Sequence, residues 1–416
     1  MPSSYPPALR NRFFILHLKS MGWEPAVLTV EPSYLGHATD PLMNEMLPHD
    51  LEIRRTKAFS LGWTRKIGIG DLGIRSYCHL LREARKLCRE KKPDLIFISG
   101  PPWYTLLIGA QIKREFHIPY VMDYIDPWVT SYGIKVSPFK KRYWAEALAR
   151  QLDPIAVRNA DAIVSVSDGI NQMLKNFYPD HAHKFAAVIP YGIEPPDFDF
   201  AMKHPSPNTY FVSGENVRHF CYVGVIWKEL YPVLDVFFSA MQALKQDHPN
   251  EFSSTRWHFI GTSYAPDAPP QALPIAKKYG VEEVVSEIPE RVSYPNAINL
   301  LLQTDVILAL GSPDPTYTAS KIFPCILAKK PILALFHERN SAVRFLENSG
   351  TGQAITFSDS VSLGQKKNAV KERIREYIAK TNFAVRVDEK VFEEYSAKSM
   401  TKKLVAVFES AIKNRL

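Results

Sequence analysis

Two carboxylates close a buried apolar run: Asp123 and Asp126 follow the stretch from Tyr120 and stand beside Pro127-Trp128. A carboxylate at a strand end can accept a hydrogen bond from a reacting hydroxyl or steady a developing positive charge, and it can equally cap its own loop. A second constellation is Thr318-Ala319-Ser320-Lys321, whose Thr and Ser suit the cap of a helix continuing through Ile322. A capped helix start holds a phosphate through its backbone N–H groups, with Lys321 as a point charge. Lys228, four residues past Gly224, lies in the turn after a strand ending at Val223. Other spacings are silent. Cys78, Cys88, Cys221 and Cys325 show no C-x-x-C pair and no neighbouring histidine cluster, so neither zinc nor a disulfide framework is expected. No P-loop and no G-x-G-x-x-G stands after a strand. Asp197-Phe198-Asp199 spells D-x-D but falls in a Pro-rich stretch and reads as surface linker.

The elements that must position these groups alternate short aliphatic runs with helical stretches, the pattern of parallel α/β sheets. In the first half the runs are Ala26 to Val30, Leu95 to Ser99, Tyr120 to Asp123, Ala162 to Val166 and Phe185 to Ile189; in the second, His219 to Val223, Arg256 to Ile260, Val306 to Leu310 and Ile332 to Leu335. Glu194 to Val217, rich in Pro, Asp and Ser, has the composition of a connection. The expected division is an N-terminal domain 1–195, a linker 196–217, a C-terminal domain 218–388 and a terminal helix over 389–416 that docks back, with Leu404, Val405, Val407, Phe408 and Ile412 near helical spacing. Open α/β sheets bind ligands at the carboxyl ends of their strands, so function is expected there.

Composition bounds the class. A chain of 416 residues exceeds what one core serves, and 46% hydrophobic with 12% aromatic residues excludes wholesale disorder. Arg10, Arg12, Lys19 and Glu24 break any signal-peptide core, and nowhere do 18 apolar residues run together, so a cytoplasmic protein is expected. The net charge of +8 is concentrated: residues 51–150 hold 19 Lys and Arg against 9 Asp and Glu. Such a region serves an anionic partner or is a solvated helix face. Between Arg54 and Arg89 the cations are interleaved with Phe59, Leu61, Trp63, Ile67, Ile69, Leu72, Ile74, Tyr77, Leu80, Leu81 and Leu87, which would suit peripheral contact with an anionic membrane. Nucleic acid is not expected, because the region lacks a helix-turn-helix pattern or an aromatic stacking motif.

Several segments, taken in order, resemble the retaining family-4 glycosyltransferases of the GT-B fold, of the type that builds bacterial surface polysaccharides. They are Arg12-Phe13 through Gly22-Trp23-Glu24-Pro25 to Thr29, Pro93-Asp94-Leu95 to Pro102, Ile118-Pro119-Tyr120 to Trp128, Ala160-Asp161-Ala162 to Gly169, and Ile189-Pro190-Tyr191-Gly192-Ile193-Glu194. Tyr222-Val223-Gly224, Asp305 to Leu308, Ala319 to Phe323 and Ala328 to Ala334 continue the series. The resemblance implies two Rossmann-like doubly wound domains facing a cleft. It also implies transfer of a sugar with retention from a nucleotide diphosphate sugar to a lipid-linked or polysaccharide hydroxyl, without metal or other cofactor. By the same resemblance Gly224, Lys228, Thr318, Ser320 and Lys321 bind the donor, and Asp126 and Asp123 are the catalytic candidates.

The chain departs from that pattern at four places. Val225 stands where the family presents an arginine to the diphosphate, and Pro324 where a glutamate bonds the ribose; either Glu338 or another acidic group substitutes, or donor recognition is altered, or donor turnover is lost. The first strand is expected to be missing, since the chain opens Met1-Pro2-Ser3-Ser4-Tyr5-Pro6-Pro7, and the glycine pair after the Pro-Pro turn is replaced by Ala8-Leu9-Arg10. These departures leave a second reading, a noncatalytic GT-B-shaped partner of a glycan or of a transferase.

Overall fold

The computed structural model describes residues 5–36, 39–129, 137–205, 210–211, 217–265, 267–314, 320–380 and 385–413. The chain divides into two compact units, Met1–Tyr191 with Ala397–Leu416, and Gly192–Ser396. Glu194–Val217 therefore belongs to the second unit, and part of it is helical. Pro196–Lys203 forms a helix with Asp197 and Asp199 in its first turn, where the positive end of the dipole favours carboxylates. Asp197 and Phe198 are buried, and Asn299 Nδ2 donates to Ala201 O at 2.9 Å. The D-x-D residues are thus a packed helix start, which Pro195-Pro196 disguises as linker.

The first unit contains two parallel sheets. One pairs β1 (Ala26–Val30) with β2 (Glu52–Thr56), and the other runs β3 (Ile96–Gly100), β4 (Tyr120–Tyr124), β5 (Ala162–Ser165), β6 (Phe185–Val188) in that order. Strands buried on both faces read as largely apolar runs, and β4 and β5 do apart from Asp123 and Ser165. One face of the four-stranded sheet is covered by the helices Pro6–Leu18 and Ala397–Lys413, through Phe14, Leu18, Met400, Leu404 and Phe408 against Val121 and Val164. Helices Leu72–Lys91 and Leu106–Phe116 cover the other through Leu80, Leu81, Ile108 and Ile112. Both sheets share flanking layers: Phe14 of the first helix meets Phe97 of β3 while its neighbour Ile15 packs with Val27 of β1, and Leu28 and Ile96 join one cluster beneath. No described strand is hydrogen-bonded between β1 and β3.

The second unit is one six-stranded parallel sheet of β7 (Arg218–Val223), β8 (Thr255–Ile260), β9 (Val285–Ile288), β10 (Val306–Leu310), β11 (Ile332–His337) and β12 (Ile355–Phe357), in the order β12-β11-β10-β7-β8-β9. Its core gathers Phe220, Trp257, Phe237, Phe238 and Leu308. An aspartate fastens a strand entrance in each unit. Asp161 accepts from Tyr120 N at 2.9 Å and Asp305 from His219 N at 2.8 Å, each tying one strand's start to its neighbour. Among the described residues no helix is long and apolar enough to cross a membrane.

One close contact gives a stability test. A Cβ on Gly109 would lie 2.4 Å from the Tyr120 ring, which is fully buried and tethered by its hydroxyl to Ala156 O at 2.8 Å. Gly109→Ala gains about 1 kcal/mol of helix propensity, but a clash against a fixed ring costs about 1–3 kcal/mol. Net destabilisation is expected in urea unfolding; a more stable variant would show that the ring moves freely.

Candidate functional site

The second unit holds the better-formed candidate. Its strand order reverses between β7 and β10, which pair through Val306 with Phe220 and Ile307 with Cys221, so the carboxyl ends of these strands flank a topological switch point. Gly224 closes β7 with φ at 147°, a conformation that excludes other residues at low cost. Where its Cβ would stand, the Cδ and Nζ atoms of Lys321 lie 3.4 Å away.

Lys321 is held in place rather than flexible. Its Nζ donates to the Tyr222 hydroxyl and lies 3.8 Å from the centre of the Tyr222 ring, and that hydroxyl donates to Val225 O at 3.0 Å. Part of the side chain reaches solvent, yet the ammonium end is enclosed. Desolvation pushes its pKa down to about 7, Cys325 offsets this slightly, and Arg291 lowers it further.

Arg291 was not singled out in the sequence, having no local signal in Pro289-Glu290-Arg291. It follows β9, donates from Nη1 to Gly261 O at 3.3 Å, and stacks over Tyr264 at 5.1 Å. Its buried Nε has no hydrogen-bond partner. Tyr264 also meets the exposed Trp227, with ring centres 5.6 Å apart. Two cations, an aromatic pair and a bare glycine backbone thus gather at the ends of β7, β8 and β9. Such a cluster can neutralise a diphosphate and stack a planar ring.

The other expected donor residues fare differently. Lys228 is exposed at the head of the 3-10 turn Lys228–Leu230. Thr318 lies outside the described residues, and Ser320 sits in a turn. The expected phosphate-binding helix start is not formed by Thr and Ser: the helix Ile322–Leu327 spans six residues, and its N-cap is Lys321, with no side-chain cap bond. Six residues carry too short a row of aligned dipoles, so the charge rests on the Lys321 side chain itself. Pro324 occupies the first turn of this helix, where a missing N–H removes no intrahelical bond. Glu338 is exposed beyond β11, the strand on the far side of β10 from β7, with its N–H bonded to Phe357 O.

In the first unit Asp123 is not free to meet a substrate. It is wholly buried and bound bidentately by Arg10, with Nε to Oδ2 at 2.8 Å and Nη2 to Oδ1 at 3.1 Å. Arg10 also donates to Pro190 O at 2.8 Å, and Ser99 Oγ donates to Asn11 Oδ1 at 2.8 Å beside Asp123 Oδ2. The geometry gives Asp123 a structural partner in place of an open face: the Arg10 guanidinium takes up both carboxylate oxygens inside the fold, next to Ser99 of β3. Asp126, three residues on, stays solvent-accessible. Its surroundings still desolvate it, raising its pKa to about 6, and its backbone carbonyl accepts from Trp103 Nε1 at 3.1 Å.

Comparison with known proteins agrees with this architecture. Residues 14–192 match the family model described as a glycosyl transferase 4-like domain. No curated protein matches the chain. Among solved structures, Anabaena Alr3699/HepE in complex with UDP and glucose is similar at a TM-score of 0.59 and 12% identity, covering 92% of this chain and 99% of that one. A UDP-forming trehalose-phosphate synthase from Burkholderia xenovorans gives 0.55 and 12%, covering 80% and 77%. The N-terminal domain of Candida albicans trehalose-6-phosphate phosphatase gives 0.58 and 13%, covering 93% and 96%. The chain has the GT-B fold, two Rossmann-like units, with a glycosyl transferase 4-like segment in the first.

Proposed function

We propose that this protein is a glycosyltransferase that binds a nucleotide diphosphate sugar in its second unit and passes the sugar, with retention, to a hydroxyl of a lipid-linked or polysaccharide acceptor. The observation that carries the reading is the Lys321–Arg291 pair at the Gly224 strand end. A departing diphosphate gains negative charge as the glycosidic bond breaks, and preorganised cations stabilise that charge without a metal ion. In a front-side displacement the departing phosphate accepts the acceptor's proton, so no second carboxylate is required, and Asp126 of the first unit is left to accept a hydrogen bond from the acceptor. The Anabaena protein of the same fold was solved with UDP-glucose, which supports a nucleotide sugar here. A lipid-linked acceptor implies work at the cytoplasmic face of a membrane as a peripheral protein.

The noncatalytic alternative draws on the Arg10–Asp123 pair and on Pro324, which take away a ligand-facing glycine and a ribose acceptor. Calorimetric titration with a panel of nucleoside diphosphates, followed by assay of donor hydrolysis, separates the readings. Binding with hydrolysis supports transfer, binding without hydrolysis supports the noncatalytic partner, and no binding overturns the donor site. The pH dependence is specific: Lys321 is charged below about pH 7, so affinity should be full there. It should fall by up to about tenfold per pH unit above, because the ligand must then bring a proton with it. A flat profile from pH 6 to 9 would remove Lys321 from the site.

A further inference from the structure

The basic, aromatic stretch of the first unit resolves into two parts with opposite behaviour. On the helix Leu72–Lys91 the apolar residues turn inward, with Leu80 and Leu81 buried and Leu72 and Tyr77 packed against the same cluster. Four of its cations have partners: Arg75 donates to Phe59 O and Tyr34 O, Arg85 pairs with Glu115, Lys86 with Glu83 and Lys91 with Glu52. That helix is a solvated face over a core, as an amphipathic helix should be.

The short helix Leu61–Lys66 before it does the reverse. Thr64 is its buried residue, while Trp63 is 61% exposed, Ile67 60% and Phe59 48%. A second element adjoins it, for Lys141 Nζ donates to Gly68 O. Lys141 begins the helix Lys141–Asn159, on which Trp144 is 66% exposed, and Phe139 just before it is fully exposed. Leu148 and Ile155 continue from Trp144 at spacings of four and seven, so the outward stripe is apolar where solvent would favour charge. Lone exposed apolar residues are ordinary, but five large ones on two touching elements are not. Residues 57–70 and 137–145 add Lys57, Arg65, Lys66, Lys140, Lys141 and Arg142, all exposed, and contain no Asp or Glu; of the two carboxylates that follow directly, Asp71 accepts from Ile74 N at 3.0 Å at the start of its helix and Glu146 is engaged by Arg150 at 3.4 Å.

We propose that the exposed residues Phe59, Trp63, Ile67, Phe139 and Trp144, together with the six cations of the same two segments, seat the first unit on an anionic lipid leaflet. Charge complementarity selects the occupant: six exposed cations, with the adjoining Asp71 and Glu146 taken up by Ile74 N and Arg150, match a lipid surface of uniform negative charge. Tryptophan, apolar in body with one N–H, suits the headgroup boundary. This deepens the proposed function by naming where the peripheral protein touches the membrane, and it rests on that reading only for its purpose.

The test is flotation of the full chain with vesicles of phosphatidylcholine containing 30 mol% phosphatidylglycerol, as the probe composition, at low and high salt, with neither acceptor nor nucleotide present. Binding should need the anionic lipid and fall steeply with salt. The Lys140→Ser, Lys141→Ser, Arg142→Ser triple variant should bind about a hundredfold more weakly. Brominated lipid should quench tryptophan fluorescence in the parent and much less in Trp63→Phe, Trp144→Phe. Variants are checked for an unchanged nucleoside diphosphate titration, which reports an intact second unit, and for an unchanged circular dichroism spectrum. No flotation at low salt, equal flotation with pure phosphatidylcholine, or unchanged binding by the folded charge variant would each overturn the proposal. Because donor binding is measured separately, failure here leaves the donor site standing, and failure of the donor site leaves flotation standing.

Discussion

Asp123→Ala and Asp123→Asn should each destabilise the first unit by about 3–5 kcal/mol, because either change leaves the Arg10 guanidinium buried without its counter-charge. Neither member of the pair is exposed at all, and their two hydrogen bonds span 113 residues of sequence, so no water is at hand to substitute for the lost carboxylate. Desolvation makes the same pair costly to form, so exchanging both partners for apolar residues, Arg10→Met with Asp123→Leu, should recover much of the loss. Urea unfolding measures it, with nucleoside diphosphate affinity as the control on the second unit. If Asp123→Asn instead stays as stable as the parent while transfer disappears, the aspartate is catalytic and the structural assignment fails.

That pair shows where sequence reading stops. Nine strands are legible because buried parallel strands are written as aliphatic runs, as Ala162 to Val164 of β5 and Val306 to Leu310 of β10 are; β2, β9 and β12 are not, being short or, in β2 and β9, charged. Asp123 was legible as a carboxylate at a strand end. Its partner was not, since nothing local to Ala8-Leu9-Arg10 says that the side chain folds back under β4; only tertiary packing brings positions 10, 123 and 190 together. The helix Pro196–Lys203 was hidden for a different reason. Its two leading prolines, tolerated in a first turn, are also the commonest mark of a linker. Lys321 is legible in the sequence only as a point charge beside a helix start that Thr318 and Ser320 would cap, whereas the helix Ile322–Leu327 has no side-chain cap bond. The side chain, not a helix start, faces Gly224, because Tyr222 holds it there through both its ring and its hydroxyl.

Arg291→Ala should weaken nucleoside diphosphate binding about tenfold to a hundredfold, the range of one lost charge-assisted hydrogen bond of about 1–3 kcal/mol, and Lys321→Ala should cost about as much. The reasoning begins from Val225, which stands directly after Gly224 and offers the site no charge, although its carbonyl steadies Tyr222 at 3.0 Å. Arg291 reaches the neighbouring strand end from β9 instead, anchored on Gly261 O and Tyr264, with its buried Nε left without a partner. An enclosed N–H donor is costly to leave unmet, so an anion that accepts from it gains more than a surface contact would. If Arg291 supplies the charge that Val225 lacks, the two positions are interchangeable in effect. Val225→Arg placed in the Arg291→Ala background should then restore most of the lost affinity, while the same change in the parent adds less than it restores there. Titration of all four proteins forms a double-mutant cycle, and a large coupling is the expected result. Additive effects, or an Arg291→Ala variant that binds as the parent does, would leave Arg291 as a brace for the Gly261 turn and return the diphosphate to Lys321 alone.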